Sequence, residues 1–146
     1  MSNFGFKTPE DSPGFLLWQV MICWQRQIKH ALALYDLAHS DFVIMAVTLW
    51  YMEQDIKPTQ VIVSKLSKLD KMTISKSLRQ LVQKGFITRS EDQTDTRAKI
   101  LELTDEGKKF ISKIIPVVES IDADFFNKID KDEYGDMIQI FRKLVR

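Results

Sequence analysis

The residues best suited to chemistry lie on a charged stretch between two short apolar segments. This stretch, Thr88–Gly107, reads TRSEDQTDTRAKILELTDEG and does not turn through a two-residue Asn-Gly or Asp-Gly hairpin. It carries Arg89, Arg97 and Lys99, cations that can bind phosphate oxygens or enter a minor groove of negative potential. Asp95 precedes Arg97 by two residues, so its carboxylate can hold the guanidinium or the backbone N–H groups of the turn. The loop carries acidic as well as basic side chains, so electrostatic attraction to a polyanion does not by itself explain its composition.

A second set of polar side chains lies on a predicted helix just upstream, Lys71–Lys84. Its apolar residues, at positions i, i+4, i+7 and i+8, predict a single stripe facing a core; they are Ile74, Leu78, Leu81 and Val82. No Asp or Glu occurs between Lys71 and Ser90. Hydroxyl, amide and cationic side chains on such a helix can read base edges in the major groove of B-DNA. The side chains that we expect to contact DNA from this helix are Lys71, Thr73, Ser75, Lys76 and Arg79.

The composition is typical of one soluble domain, with 146 residues, 45% hydrophobic and 28% charged. The net charge of +1 is distributed unevenly: residues 1–56 carry −3, residues 57–109 carry +5 and residues 110–146 carry −1. The positive middle third favours a polyanionic partner for that part of the chain. No uncharged run is long enough to span a bilayer, no secretory signal is visible, and a single cysteine cannot form an internal disulfide. These features predict a cytoplasmic protein without membrane contact.

Turn and capping signals divide the middle of the chain into two helices and two strands. Thr59 is expected to cap a short helix to about Leu69, whose inner side is predicted to hold Val61, Ile62, Leu66 and Leu69. Asp70 caps the helix that Gly85 closes, and the strands span roughly 86–89 and 99–103. A helix-turn-helix followed by a two-stranded ribbon is a winged helix, here predicted over 41–107 with its wing at about 86–103.

The flanking helices are predicted to serve dimerisation. Ser12-Pro13 opens a helix to about Ala38 whose N-terminal half is apolar around nearly its whole circumference. Such a helix must be buried on several sides, and a second copy of itself is one way to do so. Ser40 or Asp41 is expected to cap the next helix. After the wing, residues 108–146 are predicted to form helices that Pro116 kinks or splits, with an Asp130–Glu133 capping pair.

The sequence resembles the MarR (multiple antibiotic resistance regulator) family of winged helix-turn-helix transcription factors. The resemblance rests on D-x-R followed by L-T-x-x-G, here Asp95-Thr96-Arg97 and Leu103–Gly107, and on LVQKGFITR at Leu81–Arg89. It extends to helix order over essentially the whole chain, treated as one domain, 1–146. The resemblance implies a homodimer that binds an inverted-repeat operator in double-stranded DNA, with Arg97 in the minor groove and Asp95 bracing the wing. It also implies a regulator, most often a repressor, that small aromatic or phenolic ligands release from DNA.

Two sensing subclasses of the family do not match. Peroxide-sensing members place a reactive cysteine where this chain has Gly14, and Cys23 lies in the most apolar stretch, where burial as an unreactive thiol is expected. Zinc-sensing members need histidines after the wing, whereas His30 and His39 lie before it and are nine residues apart. We therefore expect neither a metal nor a cofactor.

Aromatic side chains of the first two helices have two interpretations, a pocket for a small aromatic effector or plain core and interface. They are Trp18, Trp24, Trp50 and Tyr51. Two other functions fit the sequence less well. A winged helix that binds protein instead of DNA is disfavoured by the basic, polar face of the second helix. An enzyme is disfavoured because no catalytic triad, phosphate loop or metal-ligand set occurs.

Overall fold

The computed structural model describes the whole chain, Met1–Arg146, as six α-helices and one two-stranded antiparallel sheet. In chain order the elements are α1 (Pro13–Ala33), α2 (His39–Glu53), α3 (Gln60–Ser67), α4 (Lys71–Gln83), β1 (Ile87–Glu91), β2 (Lys99–Leu103), α5 (Asp105–Phe126) and α6 (Lys131–Val145), after a 3-10 turn at Pro9–Asp11. The predicted fold class, mainly helical with a two-stranded wing, is confirmed.

The chain forms two compact units. The central unit, Lys29–Val117, holds α2, α3, α4 and the sheet, and the terminal unit, Met1–Ile28 with Val118–Arg146, holds α6. Helices α1 and α5 contribute residues to both units. The assignment of 12–38 and 108–146 to dimerisation stays a prediction.

The core of the central unit is built from side chains of α2, α3, α4, the sheet and α5. Its fully or almost fully buried apolar residues include Ile44, Met45, Val63, Ile74, Leu78, Leu81, Ile87, Leu101, Leu103, Ile111 and Ile114. Helix α4 packs on α2 and β1 through its predicted stripe. The prediction that Val82 belongs to that stripe is wrong, because Val82 is 43% exposed and lies about 100° around the helix from Leu81. The buried Ser77 hydroxyl shares a 2.8 Å hydrogen bond with Ser40 of α2.

The predicted inner side of α3 is wrong. Val63 is the buried residue of this helix, whereas Val61, Ile62 and Leu66 are 59%, 38% and 55% exposed. The apolar residues of α3 are nearly contiguous in sequence, so they do not define one helical face, and tertiary packing selects Val63. The helix therefore presents an apolar outer surface that its sequence pattern does not reveal.

Most predicted caps are confirmed by hydrogen bonds. Thr59 Oγ1 accepts from Ile62 N at 3.2 Å, and Asp70 Oδ1 accepts from Thr73 N at 2.7 Å. The reciprocal capping box of α6 is also present, since Asp130 N donates to Glu133 and Glu133 N donates to Asp130.

Three helix boundaries differ from the predictions. Helix α1 ends at Ala33 rather than near Ala38, and Asp36 follows in the left-handed region with φ +52°. Helix α2 begins at His39, so Asp41 does not precede the helix but reaches back from its first turn, accepting from Ala38 N at 3.2 Å. Helix α5 runs continuously through Pro116, so the predicted split does not occur.

One corner joins the end of α4, the start of the sheet and the start of α5. Thr104 Oγ1 donates to Gly85 O at 2.6 Å and accepts from Gly107 N at 3.0 Å, while Thr104 N donates to Phe86 O at 3.0 Å. Gly85 takes φ +79°, which its missing side chain permits. At Gly107 a Cβ atom would collide with the carbonyl group of Phe86. The L-T-x-x-G motif is therefore the sequence of this corner.

We predict that Gly107→Ala lowers the free energy of unfolding by about 1–3 kcal/mol, because the added methyl group must displace the Phe86 backbone. Urea denaturation measures the change. Gly135→Ala in α6 is the matched control, since no atom lies within 4 Å of the added Cβ. Alanine favours a helix over glycine, so the control should gain up to about 1 kcal/mol. Wild-type stability for Gly107→Ala would contradict the close approach at the corner.

Candidate nucleic-acid interface

The outer face of α4 is fixed by the stripe that the helix buries. Residues of an α-helix follow one another at about 100°, so the side opposite Ile74 and Leu78 carries residues 72, 76, 79 and 83. Lys76 and Arg79 are accordingly exposed. Lys71 is exposed in the first turn, whereas Thr73 and Ser75 lie half-buried on the flanks of this face. The five predicted residues therefore lie on one helix, but Thr73 and Ser75 are at the edges of its outer face rather than at its centre.

Asp70 orders the first turn of α4. Its carboxylate accepts from Thr73 N at 2.7 Å and from Thr73 Oγ1 at 2.9 Å. These two hydrogen bonds, the backbone one first, lower the pKa of Asp70 below its ordinary value. The depressed pKa means that the cap contributes its stability above the ordinary pKa and loses it as pH falls through the lowered one. The cap therefore keeps the first turn of α4 ordered at neutral pH.

At the tip of the wing, Asp95 holds the side chain of Arg97. Asp95 Oδ1 accepts from Arg97 Nε at 3.2 Å and from Arg97 N at 3.1 Å, although the Arg97 side chain is 91% exposed. An ion pair this exposed adds little stability, so its main effect is to restrict the orientation of the guanidinium. The bracing occupies Nε and leaves both terminal nitrogens without a hydrogen bond inside the chain. They are the groups that can donate to a nucleic acid.

Two further acids, Glu91 and Asp92, also bind within the wing. Asp92 Oδ1 accepts from Thr94 N and Thr94 Oγ1 at 3.2 and 3.3 Å, which closes the turn. Glu91 pairs with Lys99 across the register Glu91↔Lys99, at 3.1 Å between Oε1 and Nζ. These acidic residues therefore shape the loop end of the wing, where Glu91 partly neutralises the Lys99 ammonium.

Arg89 lies apart from the wing tip. It is exposed on β1, opposite Leu101, and its Nη1 donates to Gln60 Oε1 at the start of α3, at 3.4 Å. Arg89 therefore lies beside the first helix of the helix-turn-helix, whereas Arg97 stands at the end of the ribbon.

The outer face of α4 also holds a residue that is not among the predicted contacts. Met72, four residues before Lys76, is 84% exposed and stands on the face opposite the core. Helical spacing alone could have placed it there, but an apolar side chain did not fit the expectation of a wholly polar face.

The predicted aromatic pocket residues fall in different units. Trp18 is 58% exposed in the terminal unit, where Trp24 Nε1 donates to Asp122 Oδ1 at 2.7 Å. Trp24 and Asp122 line a groove of about 250 Å³ whose other walls are Leu17, Val20, Met21, Phe126 and Phe141. Trp50 and Tyr51 lie in the central unit as an edge-to-face pair, with ring centroids 5.1 Å apart, and Trp50 is 55% exposed. A pocket remains a prediction for all four.

The expected burial of Cys23 is wrong for the single chain, because the thiol is exposed. The reason is that α1 is apolar on several sides, and one chain does not cover them all. None of the helices combines the length and the apolar character needed to cross a membrane.

Comparison with known proteins identifies the family. The model of the ArnR1-like winged-helix domain matches residues 33–120. The chain is 38% identical over 128 residues to the uncharacterized HTH-type transcriptional regulator YdcH of Bacillus subtilis, covering 88% of this chain and 87% of that protein.

Solved structures share the fold over almost the entire length. One is BpsR of Bordetella bronchiseptica, whose DNA binding is regulated by 6-hydroxynicotinic acid; the TM-score is 0.84 at 19% identity, covering 96% of this chain and 97% of that one. Another is a MarR mutant of E. coli in complex with operator DNA, with TM-score 0.80 at 19% identity, covering 97% of this chain and all of that one. The expectation drawn from the Asp95–Gly107 motif is confirmed, and the chain belongs to the MarR family of winged helix-turn-helix, DNA-binding transcriptional regulators.

Proposed function

We propose that this regulator binds a pseudo-palindromic operator as a homodimer and represses transcription until a small aromatic effector releases it. The observation that carries the proposal is the pairing, in one unit, of an acid-free helix face with a wing whose arginine is braced by Asp95. The first element suits a major groove and the second suits the adjacent minor groove.

In this proposal α4 lies in the major groove and the polar and basic residues of its outer face approach base edges and phosphates. Lys71 and Lys76 neutralise phosphates, which supplies affinity that does not depend on sequence. Arg97 donates from its terminal nitrogens to the floor or walls of the minor groove, where negative potential is enhanced. Arg89 and Lys99 are assigned to the sugar-phosphate backbone.

The homodimer is supported by the apolar surface of the terminal unit. Helix α1 exposes Phe15, Leu16, Leu17 and Trp18, between 40% and 61% each, and α6 exposes Ile140, Phe141, Leu144 and Val145, between 39% and 71% each. So many exposed large apolar side chains are unusual on a free surface and mark a site for another chain. A second copy would pair with it symmetrically and present two α4 helices about one turn of DNA, roughly 34–36 Å, apart.

Effector control is supported by two observations. The similar protein BpsR responds to an aromatic acid, and the Trp24–Asp122 groove of this chain is lined with apolar and aromatic side chains. An aromatic ligand would pack on Trp24, and a donor group on it could reach the Asp122 carboxylate. A regulator of this kind works in the cytoplasm, where it has access to chromosomal DNA.

Selection of bound fragments from random duplex DNA tests the proposal. We expect enrichment of an inverted repeat whose half-sites are centred about 10 base pairs apart, because a twofold dimer reads both strands alike. Light scattering on the same preparation should give the mass of two chains. Enrichment of no sequence above background, even in dilute buffer, would contradict the proposal and favour a winged helix that binds protein.

Arg97→Ala should weaken binding to the selected operator by about 1–3 kcal/mol, because the minor-groove contact is lost while the fold is untouched. Mobility shifts at matched salt measure the loss. Lys128→Ala is the control, since it removes a positive charge from the connection between α5 and α6. Unchanged affinity of Arg97→Ala would remove the wing from the mechanism.

Lys76→Ala should act differently, weakening operator and unrelated DNA alike. If Lys76 neutralises a phosphate, the slope of log affinity against log salt should fall in magnitude by about one per half-site contact. Anisotropy titrations between about 50 and 200 mM salt give the slope. Lys113→Ala, on the exposed side of α5, should leave it unchanged. An unaltered slope for Lys76→Ala would exclude the phosphate contact.

A further inference from the structure

Met72 is the apolar exception on the outer face of α4. It is the second residue of the helix, directly after the Asp70 cap and Lys71, and 84% of its surface is exposed. The other exposed apolar residue of α4 is Val82, at the C-terminal end of the helix, which is smaller than methionine and 43% exposed. The fold does not use this side chain as core.

The position of Met72 puts it among the groups proposed to face DNA. It precedes Lys76 by one helical turn and Arg79 by two, so the three form a row along the side opposite Ile74. The N-terminal residues of a recognition helix are those that approach base edges most closely. Asp70 holds this turn in place through its two hydrogen bonds to Thr73.

The chemistry of Met72 selects what it can contact there. A thioether side chain has neither a hydrogen-bond donor nor a strong acceptor, so it cannot read the N7, O6, O4 or amino groups of the bases. The one apolar feature that a base pair presents in the major groove is the methyl group at C5 of thymine. A flexible, polarisable methionine packs well against such a group.

We propose that Met72 packs against the 5-methyl group of one pyrimidine in each half-site and so makes a thymine preferred there. The inference rests on the proposed function, because it requires α4 to lie in the major groove. The polar and basic neighbours of Met72 hold the helix on the duplex, and Met72 adds discrimination at one position.

Removing the methyl group alone tests the proposal. In the selected operator each symmetric pair of thymines is replaced in turn by uracil, which keeps every hydrogen-bonding group. At one such pair the wild-type protein should bind about fourfold less tightly per half-site, the factor that corresponds to burial of one methyl group. Met72→Ala should bind the thymine operator more weakly and show no difference between thymine and uracil at that pair.

Val82→Ala is the matched control, because it truncates another exposed apolar residue of α4 away from the row, and it should keep the full uracil effect. A further pair of operators carries cytosine or 5-methylcytosine at the same position. The wild-type protein should prefer the methylated base by a similar factor and Met72→Ala should not, which shows that the methyl group itself is read.

Two results would overturn the inference: uracil is tolerated at every position by the wild-type protein, or Met72→Ala keeps the wild-type sensitivity. Both results differ from a failure of the proposed function. In that case the wild-type protein would bind no selected operator, even before any base is changed. Thermal melting of Met72→Ala checks that the fold is retained.

Discussion

The burial of one apolar stripe on α4 determines which side chains the helix presents on its outer face. Ile74, Leu78 and Leu81 are withdrawn from water, and each contributes roughly 1.5–3 kcal/mol relative to exposure. Turning the helix by one residue, about 100°, would forfeit much of that gain, and in one of the two directions it would bury Arg79. The exposed row that begins at Met72 and continues through Lys76 is therefore a consequence of the core. The hydroxyl pair of Ser40 and Ser77 fixes the same orientation through a directional bond.

Charge in the wing is organised by pairing. The acidic and basic side chains of the wing largely cancel in net charge, which by itself suggests only weak attraction to a polyanion. The hydrogen bonds give another picture, since Asp92 closes the turn, Asp95 orients Arg97 and Glu91 pairs with Lys99. The acids give the loop a defined shape. Arg97, although paired with Asp95, stays exposed, and Arg89 bonds to the neutral Gln60 side chain and therefore keeps its positive charge uncompensated. For a loop of this length, order lowers the entropy lost on binding.

Features set by local chemistry could be predicted from the sequence, and features set by tertiary partners could not. The caps at Thr59, Asp70 and Asp130 follow from a side chain and a backbone N–H three residues away. The inner side of α3 and the exposure of Cys23 depend on what packs nearby, which periodicity does not encode. The continuity of α5 through Pro116 is likewise a tertiary outcome. The motif that carried the family resemblance succeeded because it encodes one tight corner.

That corner has a mechanical consequence. Thr104 bonds to Gly85, just beyond the end of α4, and to Gly107 in the first turn of α5, and the backbone at Phe86 lies too close to α5 for a side chain to intervene. Because this connection is so tight, the end of α4 and the start of α5 are mechanically coupled. A displacement of the first turn of α5 must be accompanied by movement of the far end of α4, or else break the hydrogen bonds of Thr104.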